Sequence, residues 1–262
     1  MELSVDGQGV FAATGGQAFD PALPAVVFLH GAGMDHTVWA LQTRYFAHHG
    51  RAVLAVDLPG HGRSAGAPLG SIEDMAAWVG RLLEAAGVGA AALAGHSMGA
   101  LVALAAAGAM PERTRALALL GAAPSMPVHP DLLAAAEAND HLAVELVTSW
   151  GHGRAGHLGG NRAPGLWLMG GADRLLERSA PGVLHNDLAA CSAYSGVAEA
   201  AAKVACPCRI IAGAGDKMTP AKAGAKLAGL IPGAEISVIA KSGHMMMLET
   251  PDETLDALRT LL

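Results

Sequence analysis

The segment from Val88 to Met110 constrains the fold more than any other part of the chain. It reads VGAAALAGHSMGALVALAAAGAM, and its only overtly polar side chains are the adjacent His96 and Ser97. Its length alone would suit a membrane span or a buried core helix. Ala and Gly insert weakly into a bilayer, however, and Gly95 and Gly99 divide the run around the polar pair. We therefore interpret it as a short buried strand, a sharp turn at Ser97 and a helix.

The rest of the chain alternates apolar strand patterns with helical patterns. Strand-like runs on both sides of Gly7 predict an opening hairpin. Ser71 and Asp74 resemble a helix cap, and Gly87 is placed to end that helix. Buried strands are predicted at 25–30, 52–57, 115–123, 208–216 and 234–240, and further helices at about 36–49, after Pro220 and at 251–262. Helices between strands indicate an α/β fold with a mainly parallel sheet.

Residues 124–203 interrupt this alternation. They contain helical patterns and glycine-rich loops, but no clear buried strand. We interpret residues 124–203 as an inserted helical cap that lies over the end of the sheet. Residues 1–123 and 204–262 then form the α/β core.

Composition and charge exclude several classes of partner. The chain has 262 residues, 52% hydrophobic and 15% charged, which is typical of a globular protein. A formal charge of −6 without a cluster of Lys and Arg predicts binding to neither nucleic acid nor an anionic membrane. The start shows no signal-peptide pattern, and three cysteines argue against a disulfide framework. We expect a cytoplasmic protein, either a monomer or a homodimer, that acts on a small molecule.

The residues Gly95–Gly99 form the pattern G-x-S-x-G. Between an apolar strand and a helix, this pattern places the serine on a tight, strained turn. The N–H groups at the start of the following helix favour negative charge beside the serine. Ser97 is therefore the candidate nucleophile. His96 is expected to point away from the chemistry, because adjacent side chains of a strand face opposite sides.

A serine nucleophile needs a base, and the base needs an orienting acid. Asp216 ends one predicted strand, and His244 follows the next. Both would emerge at the carboxyl ends of parallel strands, where open α/β sheets place their sites. No carboxylate follows the strand at 117–123 until Asp131, so the competing position for the acid is empty.

Five motifs together resemble the α/β-hydrolase superfamily, in its serine-nucleophile, esterase- or lactonase-like branch. The matching stretches are HGAG (30–33), DLPGHGRS (57–64), GHSMG (95–99), GAGD (213–216) and SGH (242–244). The resemblance implies an eight-stranded sheet with a helical cap. It also implies an oxyanion hole formed by the backbone N–H groups of Ala32 and Met98.

The nucleophile narrows the reaction within the superfamily. The related haloalkane dehalogenases and epoxide hydrolases carry Asp at this position, so Ser97 favours acyl chemistry on a small carboxylic ester, thioester or lactone. An acyltransferase, a carbon–carbon bond hydrolase and a cofactor-free haloperoxidase remain alternatives with the same triad. A ligand-binding receptor that kept the fold is an alternative of another class.

Substrate contacts are harder to predict, because the cap shapes the pocket. We expect Trp150, Trp167 and Met245 to contact substrate. We expect the arginines of the cap to be solvated; the alternative is that one of them binds a substrate carboxylate, and the candidates are Arg154, Arg162, Arg174 and Arg178. The histidines of the cap lack metal-ligand spacing, so we expect neither a metal nor another cofactor.

Overall fold

The computed structural model describes residues 1–160 and 166–262. At its centre lies a sheet of eight strands in the order β1-β2-β4-β3-β5-β6-β7-β8. The strands are β1 (Glu2–Val5), β2 (Gln8–Ala13), β3 (Ala25–Leu29), β4 (Ala52–Val56), β5 (Ala91–His96), β6 (Thr114–Leu120), β7 (Cys208–Gly213) and β8 (Glu235–Ile239). Strand β2 runs antiparallel to both neighbours, and β3 to β8 are parallel. The predicted α/β fold with a mostly parallel, eight-stranded sheet is confirmed.

Helices cover both faces of this sheet. They are α1 (Ala40–His48), α2 (Ile72–Ala85), α3 (Met98–Ala109), α4 (Pro130–Glu137), α5 (His141–Gly151), α6 (Arg154–His157), α7 (Leu168–Glu177), α8 (Val183–Ala193), α9 (Val197–Lys203), α10 (Ala221–Ala228), α11 (Met246–Glu249) and α12 (Pro251–Arg259). Within the described ranges, no helix is long and apolar enough to span a bilayer.

Side chains of β3 show how the sheet separates two hydrophobic cores. Val27 and Leu29 belong to the core under α2 and α3, whereas Val26 and Phe28 belong to the core under α1 and α12. Successive residues of a strand point to opposite faces, and this strand is buried on both. This explains why its sequence is a continuous apolar run instead of an alternating one.

Local signals in the sequence act as predicted at two places. The opening hairpin turns at Asp6 and Gly7, which both have positive φ, as a two-residue turn requires. The N–H of Asp74 donates to Oγ of Ser71 at 3.1 Å and so caps α2. Gly87 has a φ of +68° just beyond the end of that helix.

The described residues between β6 and β7 form the six helices α4 to α9. Helix α9 packs on α3 closely enough that a Cβ on Gly108 would lie 2.8 Å from Cα of Ala200. The buried side chains of α9 accordingly belong to the core beneath α3. Arg162, one of the four arginines named above, lies outside the described residues. The division into core and cap stays a prediction.

The connection from β5 to α3 has almost no free space. A Cβ on Gly95 would lie 2.6 Å from the amide nitrogen of Ala100. A Cβ on Gly99 would lie 2.5 Å from the carbonyl oxygen of His30. Both neighbours are backbone atoms, which cannot move without shifting a strand or a helix. The flanking glycines are therefore required by contact with the main chain.

We predict that Gly99→Ala lowers the free energy of unfolding by about 3 kcal/mol or more, at the upper end of overpacking effects. The control is Gly89→Ala, because a Cβ there meets nothing within 4 Å. It should leave stability unchanged or slightly raised. Urea unfolding measures both variants. Equal stability of the two variants would contradict this account of the turn.

Candidate functional site

Polar side chains gather at the carboxyl edge of the parallel strands. Ser97 follows β5, Asp216 lies beyond the end of β7, and His244 lies between β8 and α11. Ser97 and His244 both line a cavity of about 470 Å³, together with Ala32. The parallel direction of the strands thus brings residues from distant parts of the chain to one place.

Ser97 occupies a strained backbone conformation. Its φ of +53° and ψ of −116° are rare for a residue other than glycine. Its N–H donates to the carbonyl of Leu120 at 2.9 Å, which ties the turn to β6. Helix α3 begins at the next residue, Met98. The positive end of the helix dipole therefore lies beside the serine.

Asp216 and His244 form a buried pair. Nδ1 of His244 lies 2.7 Å from Oδ2 of Asp216, and the two residues are 3% and 5% exposed. Burial alone would raise the pKa of Asp216, but the charge and hydrogen bond of His244 hold it below its ordinary value. An ionised Asp216 keeps the imidazole proton on Nδ1, so that Nε2 carries the lone pair.

Thr219 contacts both members of this pair, and its role was not predicted from the sequence. Its Oγ1 donates to Oδ2 of Asp216 at 2.7 Å and lies 3.2 Å from Nδ1 of His244. The N–H groups of Met218 and Thr219 both donate to Oδ1 of Asp216 at 2.8 Å. Aspartate side chains commonly accept the backbone N–H two residues further on, and such a turn after Asp216 could have drawn attention to the residues up to Thr219.

His96 supports the site without facing the cavity. Its Nε2 donates to the backbone carbonyl of His244 at 3.0 Å. Complete burial and the neighbouring His244 lower the pKa of His96 well below its ordinary value, so the ring is neutral. The structure therefore agrees with the expectation that His96 is structural.

The backbone around His244 is anchored to the end of helix α5. The N–H groups of His244 and Met245 both donate to the carbonyl of Gly151, at 2.9 and 3.1 Å. The carboxylate of Glu249 accepts the N–H of Gly153 at 2.7 Å and that of Gly243 at 2.9 Å. The loop that carries His244 and the end of helix α5 are therefore held together by the carbonyl of Gly151 and the carboxylate of Glu249.

The predicted substrate contacts fall in three different environments. Trp150 lines the cavity beside Ser97. Trp167 is 68% exposed and does not line that cavity. Met245 is buried behind His244, where it borders a separate, much smaller cavity. The remaining walls of the main cavity are largely apolar, with Met126, Pro127, Val128, Leu132, Leu188, Cys191 and Met218 among them.

Arg174 and Arg178 are largely exposed. Arg174 pairs with Glu177, and Arg178 pairs with Asp35 at 2.5 Å, away from the main cavity. Within the described part of the chain, no arginine lines that cavity, and Lys217 does. Lys217 directly follows Asp216 in the chain.

One group of residues could present metal ligands, as judged from residues 1–160 and 166–262. Ligand atoms of Asp35, His36 and Asp57 lie within 4.8 Å of one another. Oδ1 of Asp57 already accepts the backbone N–H of His36 at 2.7 Å, and Asp35 pairs with Arg178. These carboxylates therefore already accept hydrogen bonds and form an ion pair with the protein's own groups.

Solved structures of similar shape share this architecture. An enol-lactonase from Burkholderia xenovorans LB400 has a TM-score of 0.85 at 22% sequence identity, covering 99% of this chain and 98% of that one. A thermophilic esterase has a TM-score of 0.81 at 28% identity, covering 99% and 95%.

Proteins of similar sequence include two hydrolytic enzymes. The (E)-2-((N-methylformamido)methylene)succinate hydrolase of Acinetobacter baylyi is 26% identical over 253 residues, which are 90% of this chain and 89% of that protein. A pimeloyl-acyl-carrier-protein methyl ester esterase of Aromatoleum aromaticum is 31% identical over 245 residues, covering 88% and 94%. The pattern of the alpha/beta hydrolase family matches residues 26–257. The chain therefore belongs to the alpha/beta hydrolase family.

Proposed function

We propose that this protein is a serine hydrolase that cleaves a small carboxylic ester, thioester or lactone through an acyl-enzyme on Ser97. The observation that carries the proposal is the buried Asp216–His244 pair at the wall of the cavity that Ser97 also lines. A strained serine, a base with a fixed tautomer and an ionised acid are the parts that acyl transfer requires.

The reaction follows from these roles. Oγ of Ser97 attacks the carbonyl carbon while Nε2 of His244 takes the hydroxyl proton. The alkoxide or thiolate leaving group then takes that proton as the carbonyl reforms. Water attacks the acyl-enzyme in the second half, with His244 again acting first as base and then as acid. Asp216 stabilises the imidazolium that forms in each half.

Two backbone N–H groups are proposed to bind the developing oxyanion. Met98 begins helix α3, so its N–H is free of the intrahelical pattern and lies next to the serine. Ala32 follows β3 and lines the same cavity as Ser97. Each donor of this kind contributes about 3–4 kcal/mol to the stabilisation of the transition state.

The cavity supports an apolar acyl or alcohol group. A volume of about 470 Å³ suits a small molecule. Most of its wall residues are apolar, and Trp150 supplies an aromatic surface. The named relatives include esterases and a hydrolase whose name specifies a substituted succinate. An ester with a short aliphatic or aromatic acyl chain fits these walls best.

We predict that Ser97→Ala lowers kcat on short p-nitrophenyl esters by at least about 10³-fold, because no other hydroxyl takes the place of the nucleophile. The same variant should no longer be labelled by a fluorophosphonate probe. The control is Ser125→Ala, which removes the other serine hydroxyl that lines the cavity. This control should keep both labelling and turnover.

Undiminished turnover by Ser97→Ala would refute the assignment. A stoichiometric adduct at Ser97 without turnover of any ester would instead favour the receptor alternative. Product analysis with added alcohols or amines separates hydrolysis from transfer to another acceptor.

Asp216 should make stability depend on pH in a defined direction. Its pKa in the folded protein lies below the ordinary value of 3.8, so folding favours the ionised form. The stabilisation is fully present above the unfolded-state pKa and is lost as the pH falls through the folded-state pKa. We predict that Asp216→Asn lowers the free energy of unfolding by about 1.5–3 kcal/mol at pH 7. The difference from the parent should shrink as the pH falls below about 4.

Urea unfolding of parent and variant at several pH values measures this difference directly. Ser4→Ala, at an exposed position of β1, serves as a control whose effect should not vary with pH. A difference for Asp216→Asn that stays constant from pH 7 to about 3 would contradict an ionised Asp216 in the folded state.

We predict that Trp150→Ala lowers kcat/KM for p-nitrophenyl hexanoate about tenfold and for the acetate less than about twofold. The longer acyl chain loses about 1–2 kcal/mol of apolar contact, whereas the acetyl group is too short to reach the indole. Trp167→Ala is the matched control, because that indole is exposed and outside the cavity. Equal losses for both esters would argue against Trp150 as part of the acyl pocket.

A further inference from the structure

Helix α8 presents one continuous face to the site. Leu184, Asp187, Leu188 and Cys191 stand at positions i, i+3, i+4 and i+7, which lie on one side of a helix. Leu188 and Cys191 line the main cavity. Leu184 and Asp187 contact the loop of residues 30–34, which contains Ala32. We call this set the α8 face.

The carboxylate of Asp187 lies at the centre of this contact. Its Oδ2 accepts the backbone N–H of Gly33 at 2.9 Å and a hydrogen bond from Nε2 of His61 at 2.8 Å. Asp187 is completely buried, and His61 is 3% exposed. Burying a carboxylate is costly unless hydrogen bonds and a partner compensate. Placing Asp187 here is therefore costly unless its hydrogen bonds are kept. The loop that it contacts is the one next to Ser97.

His61 is adapted to this carboxylate. Burial alone would lower the pKa of His61, but the hydrogen bond and charge of Asp187 raise it above its ordinary value. The neighbouring His30 behaves in the opposite way, since burial and the nearby His61 lower its pKa to about 4. A neutral His30 can donate from Nδ1 to the carbonyl of Gly31 and accept the N–H of Leu58 at Nε2, as the distances of 2.9 and 3.1 Å indicate.

The loop itself is a tight turn. The N–H of Met34 donates to the carbonyl of Gly31 at 3.2 Å, so Ala32 and Gly33 are the two central residues. Gly33 has a φ of +67°, which favours glycine at the second central position. A Cβ at Gly33 would lie 2.9 Å from Cδ1 of Leu184. Helix α8 thus meets the turn by close packing as well as by a hydrogen bond.

We propose that Asp187, supported by His61, is a positioning residue that orients the Ala32 N–H as an oxyanion donor. The proposal rests on the proposed function, in which Ala32 supplies one of the two donors. Asp187 accepts the N–H of the peptide between Ala32 and Gly33 and so fixes the orientation of that peptide. Because Ala32 and Gly33 are the central residues of one turn, this also fixes the direction of the Ala32 N–H. The acyl pocket and the oxyanion donor therefore share one helix, because Leu188 and Cys191 line the cavity from the same face.

The test compares Asp187→Ala with Asp187→Asn on a p-nitrophenyl ester. Loss of the acceptor should lower kcat of Asp187→Ala about 10- to 100-fold, as expected when an oxyanion donor is displaced. KM should change less than about threefold, because the donor acts on the transition state. Asp187→Asn keeps an oxygen that can accept the Gly33 N–H, so it should stay within about fivefold of the parent.

A second readout follows the oxyanion directly. A trifluoromethyl ketone forms a tetrahedral adduct with an activated serine, and the adduct oxygen occupies the oxyanion hole. The inhibition constant of this ketone should rise in Asp187→Ala by about 10- to 100-fold, in parallel with the loss in kcat. A merely structural role for Asp187 would lower stability without this parallel change. His185→Ala, next to Leu184 but outside the α8 face, is the control and should keep both constants.

Folding of each variant is checked by circular dichroism and thermal unfolding. If Asp187→Ala does not fold, Asp187→Ser replaces it, because its hydroxyl is too short to reach Gly33 but leaves a polar group in the space. A folded Ala or Ser variant whose kcat and inhibition constant stay within about twofold of the parent overturns the inference. Failure of the proposed function looks different, since Ser97→Ala would then keep the parent rate, and that result overturns both proposals.

Discussion

The bend at Ser97 is the constraint on which the rest of the structure depends. A non-glycine residue with a φ of +53° costs about 1–3 kcal/mol, and the surroundings must hold it in place. They do so with backbone atoms, because Gly95 and Gly99 are pressed against Ala100 and His30 without room for a Cβ. Strand β5 and helix α3 on either side of the bend are almost completely buried. The apolar character of this segment thus fixes one polar side chain in a single orientation.

Parallel strands supply the remaining geometry of the site. Because β3 and β5 to β8 run in the same direction, the residues that follow them emerge at one edge of the sheet. Asp216 is then fixed by its own turn, with the N–H groups of Met218 and Thr219 as donors. His244 is fixed from the other side by Gly151. Residues that are more than a hundred positions apart in the chain, such as Ser97 and Asp216, are therefore brought to the same edge of the sheet.

Much of the fold could be predicted from the sequence, since its strands are continuous apolar runs and its helix ends carry recognisable caps. Ser71 and Gly87 are examples in which a local rule decides the structure. The order of the parallel strands also explains why the positions of Ser97, Asp216 and His244 could be predicted together. Their catalytic roles stay part of the proposal.

The pocket could not be predicted in the same way, because its walls depend on how the helices between β6 and β7 pack. Trp150 and Trp167 look alike in sequence, yet only Trp150 lines the cavity. Met245 packs behind the histidine, and Lys217, which the sequence did not single out, lines the cavity. Such outcomes follow from tertiary contacts that carry no periodic signal along the chain.

Two buried carboxylates connect the segment between β6 and β7 to the loops that carry the site. Asp187 of α8 accepts an N–H from the turn beside Ala32, and Glu249 of α11 joins the N–H groups of Gly153 and Gly243. Each contact would leave a buried main-chain donor unsatisfied if the helices moved away, at a cost of about 1–3 kcal/mol per donor. The segment between β6 and β7 therefore supports the backbone of the site as well as forming a wall of the pocket. A change of pocket shape in this region acts on the same backbone that surrounds Ser97 and His244, so specificity and catalytic geometry are not independent.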